Sequence, residues 1–262
     1  MRKVKKFKLT SEFIVDISGV KLFRIKALIE FGNVKAGDLG GYIEKEENLS
    51  HMGNAWVSGN AQVSGNARVS GNARVSGDAQ VFGDARVSGN ARVSGDAQVF
   101  GNAQVSGDAQ VFGDAQVSGD ARVFGNARVS GDARVFGNAR VSGDARVFGN
   151  ARVSGDARVS GNARVSGDAR VFGNARVFGN AQVFGDARVS GDKDYAYAHG
   201  FGSCNRTTTF FRLKDGDVGV RCGCFYGTLA QFRDNVCETH GETKKAQEYL
   251  MLADLMDFRF KN

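Results

Sequence analysis

The sequence predicts an all-β solenoid, a triangular parallel β-helix of about 18 residues per coil, capped by a β-hairpin and followed by a small α+β module. Three observations predict it. A six-residue unit, Gly-[Asn/Asp]-Ala-[Arg/Gln]-Val-[Ser/Phe], recurs without insertion or slip, and its glycines from Gly53 to Gly191 bound 23 units. Within each unit Ala and Val stand two apart, so a strand places both on one face. Gly followed by Asn or Asp then turns the chain, because these residues tolerate positive φ. Three faces close a triangular coil, and coils stacked at roughly 4.8 Å give a rod roughly 37 Å long. The chain divides into an N-terminal cap over 1–52, the rod over 53–192 and the module over 193–262.

Residues 7–31 read as two strands. Phe13, Val15 and Ile17 alternate, Asp16-Ile17-Ser18-Gly19 turns the chain, and Leu22 to Phe31 returns as the second strand. An open solenoid end exposes backbone edges and core side chains, so it needs such a cap. The basic start, Met1-Arg2-Lys3-Val4-Lys5-Lys6, has no apolar run after it and predicts neither a signal peptide nor a membrane span.

In the rod the core is Val over Val (Val57, Val63, Val69 and their successors) and Ala over Ala (Ala55, Ala61, Ala67 and theirs). Residues 18 apart should be vertical neighbours. One Asn/Asp column, Asn66 to Asp192, then alternates throughout, which keeps like charges apart. Another stacks Asp78, Asp96, Asp114 and Asp132. The outward position before Val holds 15 Arg, seven Gln and Trp56. Arginine columns such as Arg122, Arg140, Arg158 and Arg176 admit two readings: a solvated surface whose aliphatic stems cover the sheet, or a face that binds a polyanion. Nine units carry Phe where the others have Ser: Phe82, Phe100, Phe112, Phe124, Phe136, Phe148, Phe172, Phe178 and Phe184. Exposed rings in such number read as contacts of a homo-oligomer, a dimer or a trimer. The competing reading lays them flat over neighbouring Arg stems.

The apolar-small-apolar pattern of the units resembles the left-handed parallel β-helix of hexapeptide-repeat proteins. A six-residue period also occurs in right-handed bactofilin-type filaments, so the period alone leaves the hand open. The stretch Phe31-Gly32-Asn33-Val34-Lys35-Ala36-Gly37-Asp38-Leu39-Gly40-Gly41-Tyr42-Ile43, with Asn48-Leu49-Ser50 and the first unit, resembles the start of YdcK-like hexapeptide proteins. That resemblance implies left-handed coiling and conveys no established activity. Hexapeptide acyltransferases use a His as general base and extrude a loop from the coil. Here 53–190 contains neither a His nor an insertion, since the three His are His51, His199 and His240. An acyltransferase is therefore disfavoured.

After Asp192 the repeat stops. Thr207 to Leu213 reads as a strand, Lys214-Asp215-Gly216-Asp217 as a turn and Val218 to Phe225 as its partner. Thr228 caps a helix over Leu229 to His240, and Glu242 to Phe258 forms a second. The segments Gly200-Phe201-Gly202-Ser203, Arg206-Thr207-Thr208-Thr209-Phe210, Cys222-Gly223-Cys224-Phe225-Tyr226-Gly227-Thr228-Leu229 and His240-Gly241 resemble a small module common in phage and prophage proteins. The resemblance implies a mobile-element origin and no chemistry. Cys222 and Cys224 belong to its pattern; Cys204 and Cys237 do not.

All four Cys lie after the rod, and free thiols in a reducing cytoplasm are expected. Cys222, Cys224, Cys237 and His240 are weak zinc candidates, buried thiols being the plainer reading. A Cys nucleophile with His199 or His240 is a further alternative. Arg206, the Thr run and the nearby glycines form a candidate anion site. No cofactor is expected. The net charge of +7 is a mild basic bias. The leading reading is a non-enzymatic scaffold that self-associates through the rod and presents the module. The alternative is a phage-encoded binder of a host protein, a nucleotide or a nucleic acid, without a membrane partner.

Overall fold

The structure is a computed structural model that describes residues 4–202 and 206–261. Met1, Arg2 and Lys3 of the basic start, Ser203 of the C-terminal motif, and Cys204 lie outside the described residues.

Each repeat unit contributes one two-residue rung, from Trp56–Val57 to Arg188–Val189. Rungs 18 residues apart pair in parallel register, as Gln62 with Gln80 and Arg122 with Arg140. The rungs fall into three ladders, one for each face of the triangle. Every Ala and Val of the rod is buried. The turn glycines sit at φ between +61° and +72°, a region that side chains with a Cβ rarely enter. They also touch the coil above: a Cβ on Gly119 would lie 3.0 Å from the Gly137 nitrogen. Gly therefore recurs for two reasons, backbone conformation and coil-to-coil approach.

The rod has a polarity. Each rung N–H donates to a carbonyl of the following coil, from Trp56 N–H to Ala73 O (3.0 Å) to Arg170 N–H to Ala187 O (2.8 Å). The first coil is left with free acceptors and the last with free donors. Buried backbone groups need partners, so the two ends require caps of opposite chemistry.

The N-terminal cap supplies donors. β1 (Phe7–Val15) pairs antiparallel with β2 (Lys21–Ala27), which pairs antiparallel with β3 (Leu39–Ile43). β3 then runs parallel to the Gln62–Val63 rung. Tyr42 and Glu44 N–H donate to Ala61 O and Val63 O at 2.9 and 3.0 Å, and Ser50 N–H donates to Val69 O at 2.9 Å. Side chains complete the seal. The Asn48 amide donates to Gly65 O (3.1 Å) and Ala67 O (2.9 Å), and the Lys6 ammonium to Gly53 O (3.3 Å) and Ala55 O (2.7 Å). Both residues are buried. Gly40 and Gly41 permit the close approach of β3, since a Cβ at either would strike Ile25, Trp56 or the first-coil backbone. Trp56, the one departure from the repeat at its position, lies under this cap with its ring 5.4 Å from that of Phe31.

The C-terminal end supplies acceptors. Asp192 accepts from Arg176 N–H (2.9 Å), the Thr209 hydroxyl from Gln182 N–H (2.9 Å), and Asp194 from Ser190 and Gly191 N–H (2.8 and 3.2 Å). The module is a four-stranded antiparallel meander, Tyr195–Phe201, Arg206–Arg212, Val218–Cys222 and Phe225–Thr228. It is followed by α1 (Leu229–His240) and α2 (Lys244–Phe260). Alternate residues of one strand face opposite ways. Phe211 joins the rod core, while neighbouring Phe210 packs with Phe232, Tyr249 and Ala253 of the helices. The sheet is thus the middle layer between rod end and helices.

Several expectations need correction. β2 ends at Ala27 rather than Phe31, because the Ala27 N–H and carbonyl are taken by Asp38 and Gly37. The alternating Phe13, Val15 and Ile17 face solvent; Phe7, Leu22 and Ile25 form the buried side. The strand expected over Val218 to Phe225 is two strands, broken at Gly223-Cys224, where Gly223 takes φ +59°. Tyr195–Phe201, not read as a strand, is one. The second helix starts at Lys244, capped by the Thr243 hydroxyl. The first helix keeps its expected limits, with the Thr228 cap in place.

Candidate functional site

The parallel register fixes the surface of the rod. Arg122, Arg140, Arg158 and Arg176 are direct ladder neighbours on one face. All four guanidinium groups are exposed, and among the described residues none forms an ion pair within 4 Å. The turn residues two positions earlier are engaged along the rod axis instead. The Asn102 amide donates to Asp120 (3.0 Å) and Asn138 to Asp156 (3.1 Å). The same contact links Asn126 to Asp144 and Asn150 to Asp168. This explains the Asn/Asp alternation more fully than charge avoidance does: in the alternating column Asn66, Asn102 and Asn138 each donate to the Asp one coil on.

The register also shows how the two outward residue types are segregated over the faces of the rod. From Arg122 to Arg176, ten successive units carry Arg, so all three faces of that part are arginine-lined. Five Asp and five Asn occupy their turns. Nearer the N-terminus, Gln62, Gln80, Gln98 and Gln116 stack on one face. Folding the sequence into rows of 18 would have revealed both.

The nine phenylalanines do not behave alike. Phe82 and Phe100 stack on each other in parallel, with centroids 5.0 Å apart at 1°. Phe184 packs edge-on against Tyr226 (5.0 Å) under the Arg221 guanidinium, 5.0 Å from its ring. Phe178 meets Tyr195 and Tyr197 edge-on. These two serve the junction with the module, which the sequence reading did not foresee. Phe112, Phe124, Phe136, Phe148 and Phe172 are exposed at the corners.

Among the described residues, the Cys side chains of the module stand in different settings. Cys222 lies at a strand end, accepting from the Thr208 hydroxyl (3.1 Å) and lying 3.9 Å from the Tyr249 hydroxyl. Cys224 is exposed in the adjoining turn and Cys237 is exposed on α1. His240 closes α1 and stacks on Tyr249. The four zinc candidates do not converge: among the described residues no three His, Cys, Asp or Glu side chains are placed to hold a metal ion. His199 Nδ1 lies 3.0 Å from the Thr207 hydroxyl. Arg206 lies across Gly223, filling the space a Cβ would take there. No described helix is long and apolar enough to cross a membrane.

In the N-terminal cap, Lys6 is the notable titratable group. Burial pushes its ammonium down to about 8. Beside it the ring of His51 stacks on Phe7 (4.3 Å), and His51 Nδ1 accepts from Lys6 N–H (3.2 Å). Glu46 is held below the ordinary carboxylate range chiefly by its bond from Lys5 (2.7 Å). This set fixes the first strand onto the coil.

Residues 61–101 and 103–183 match, in overlapping windows, the family model described as YdcK Beta solenoid repeat. The rod is thus similar to that family's repeats; the match does not reach the cap or the module. No curated protein matches the chain.

Proposed function

We propose that this protein is a non-enzymatic scaffold, a rigid rod that holds its C-terminal module at a fixed distance from its N-terminal cap and self-associates through one face. The carrying observation is the double seal: donors close one end and acceptors the other, and no loop interrupts the coils between. Such a rod is a finished mechanical element, with no pocket built into its faces by insertion.

Self-association is best served by the glutamine strip. Gln62, Gln80, Gln98 and Gln116 are themselves neutral, while the turns on one side of them hold Asp78, Asp96 and Asp114, so a second copy would pack on the other side. The stacked Phe82 and Phe100 offer an apolar ridge beside it. Val15 and Ile17 of the hairpin border the same strip around a cleft of about 480 Å³. The resemblance of the module to phage and prophage proteins supports a mobile-element origin. The free thiols of Cys222, Cys224 and Cys237 suit a reducing bacterial cytoplasm.

Light scattering on the intact chain and on a Phe82→Ser/Phe100→Ser variant tests the contact. A dimer or trimer that falls to monomer supports the reading, and a monomer in both cases removes self-association from it.

A further inference from the structure

We propose that the face carrying Arg122, Arg140, Arg158 and Arg176 binds single-stranded nucleic acid. This is independent of the scaffold role and uses a different face of the rod from the glutamine strip.

The four guanidinium groups form a straight, solvent-facing ladder at roughly 4.8 Å per coil, without ion pairs among the described residues. The ladder has exposed rings on both sides. Phe124 follows its rung at one corner, and Phe136 and Phe172 stand at the corner before the next ones. They are 39%, 39% and 37% exposed. Arginine rows alone would suit any polyanion. Arginine flanked by aromatic rings suits a strand whose phosphates track the charges while unpaired bases stack on the π-faces. A duplex hides those faces, so the single strand is the better partner. Three carboxylates stand in the turn column of this face: Asp120 and Asp156 accept from Asn102 and Asn138 along the axis, and Asp192 accepts from the Arg176 N–H, so the four Arg outnumber them by one.

The repeat supplies its own fold-preserving substitutions, since Gln stands at the Arg position in seven units and Ser at the Phe position elsewhere. The experiment is anisotropy of a fluorescent thirty-nucleotide oligo-dT with the full chain. Neutralising about four phosphates predicts a log–log salt slope near −3, and hence about fifty-fold weaker binding at 200 than at 50 mM salt. Arg122→Gln/Arg140→Gln/Arg158→Gln/Arg176→Gln should weaken binding at least about tenfold and flatten the slope. Phe124→Ser/Phe136→Ser/Phe172→Ser should weaken it about tenfold or more with the slope unchanged. Arg68→Gln/Arg74→Gln/Arg86→Gln/Arg92→Gln removes the same charge from the N-terminal half and should change binding by less than about twofold.

Circular dichroism and gel filtration confirm that each variant is folded. The proposal is overturned by absence of binding at 50 mM salt, or by equal losses from the two arginine variants, which would mean diffuse charge only. Inorganic polyphosphate competing as well as oligo-dT, with the phenylalanine variant unaffected, would show a phosphate-polymer surface and likewise overturn it.

Discussion

Lys6 is a charged residue placed where a solenoid can least tolerate an unmet acceptor. Its ammonium covers Gly53 O and Ala55 O, and burial lowers its pKa from 10.5 to about 8. The unfolded chain therefore holds this proton to higher pH than the folded one. Between about 8 and 10.5 the unfolded state binds more protons, so this residue's contribution raises stability as pH rises through that window. The neutral amine still donates to both carbonyls. Lys6→Met should cost about 1–3 kcal/mol at pH 7 by stranding buried acceptors. Its stability should also lack the alkaline gain of the parent chain. Denaturant unfolding of both proteins from pH 7 to 10 checks this, and parallel pH profiles would refute it. Asn48, which seals Gly65 O and Ala67 O, predicts a similar loss of about 1–3 kcal/mol for Asn48→Leu.

At the scale of the element, the turn columns behave as ladders of amide donors and carboxylate acceptors. The column Asp78, Asp96, Asp114, Asp132 is the exception, with four acceptors in line and only Asn60 below them to donate (3.1 Å, to Asp78). Asp96→Asn should relieve two like-charge contacts and add a donor toward Asp114. A stabilisation of about 0.5 kcal/mol is expected, fading at high salt. The mirror change, Asn138→Asp, places three carboxylates together and should destabilise by about the same amount. Thermal melts at low and high salt measure both, and a salt-independent effect would point to turn conformation rather than charge. The ladder was legible in the sequence only as alternation. The direction of donation needed the stacked geometry, because Asn and Asp differ in what they offer a neighbour, not in where they sit.

For the whole molecule, near-identical units make length and rotation separate variables. Removing residues 113–130, one full coil, should shorten the rod by roughly 4.8 Å and leave the module facing as before. Removing 113–118, a single unit, should leave the core intact but turn the module by roughly a third of a turn. Each cap carries its own contacts with the adjoining units, so neither deletion breaks a seal. Distances between spin labels at Ser18 and Met251 would read both changes. A broad distribution in the parent chain would rule out a rigid spacer.

The periodic part of this protein was determined by its sequence. A strict six-residue period with Ala and Val two apart buries its apolar face by closing stacked coils around it, and Gly at every turn lets the chain bend cheaply. Coil size, buried columns, the need for caps and the Thr228-led helix all followed from local rules. Tertiary structure decided what depends on contacts between distant segments. It took Phe178 and Phe184 into the junction, turned Phe13, Val15 and Ile17 to solvent and kept the zinc candidates apart. It also set Lys6 and Asn48 on free carbonyls at one end and Asp192, Asp194 and Thr209 on free N–H groups at the other. The physical reason is that a parallel solenoid has a hydrogen-bond direction. Its ends are chemically opposite, and that asymmetry exists only once the coils are stacked.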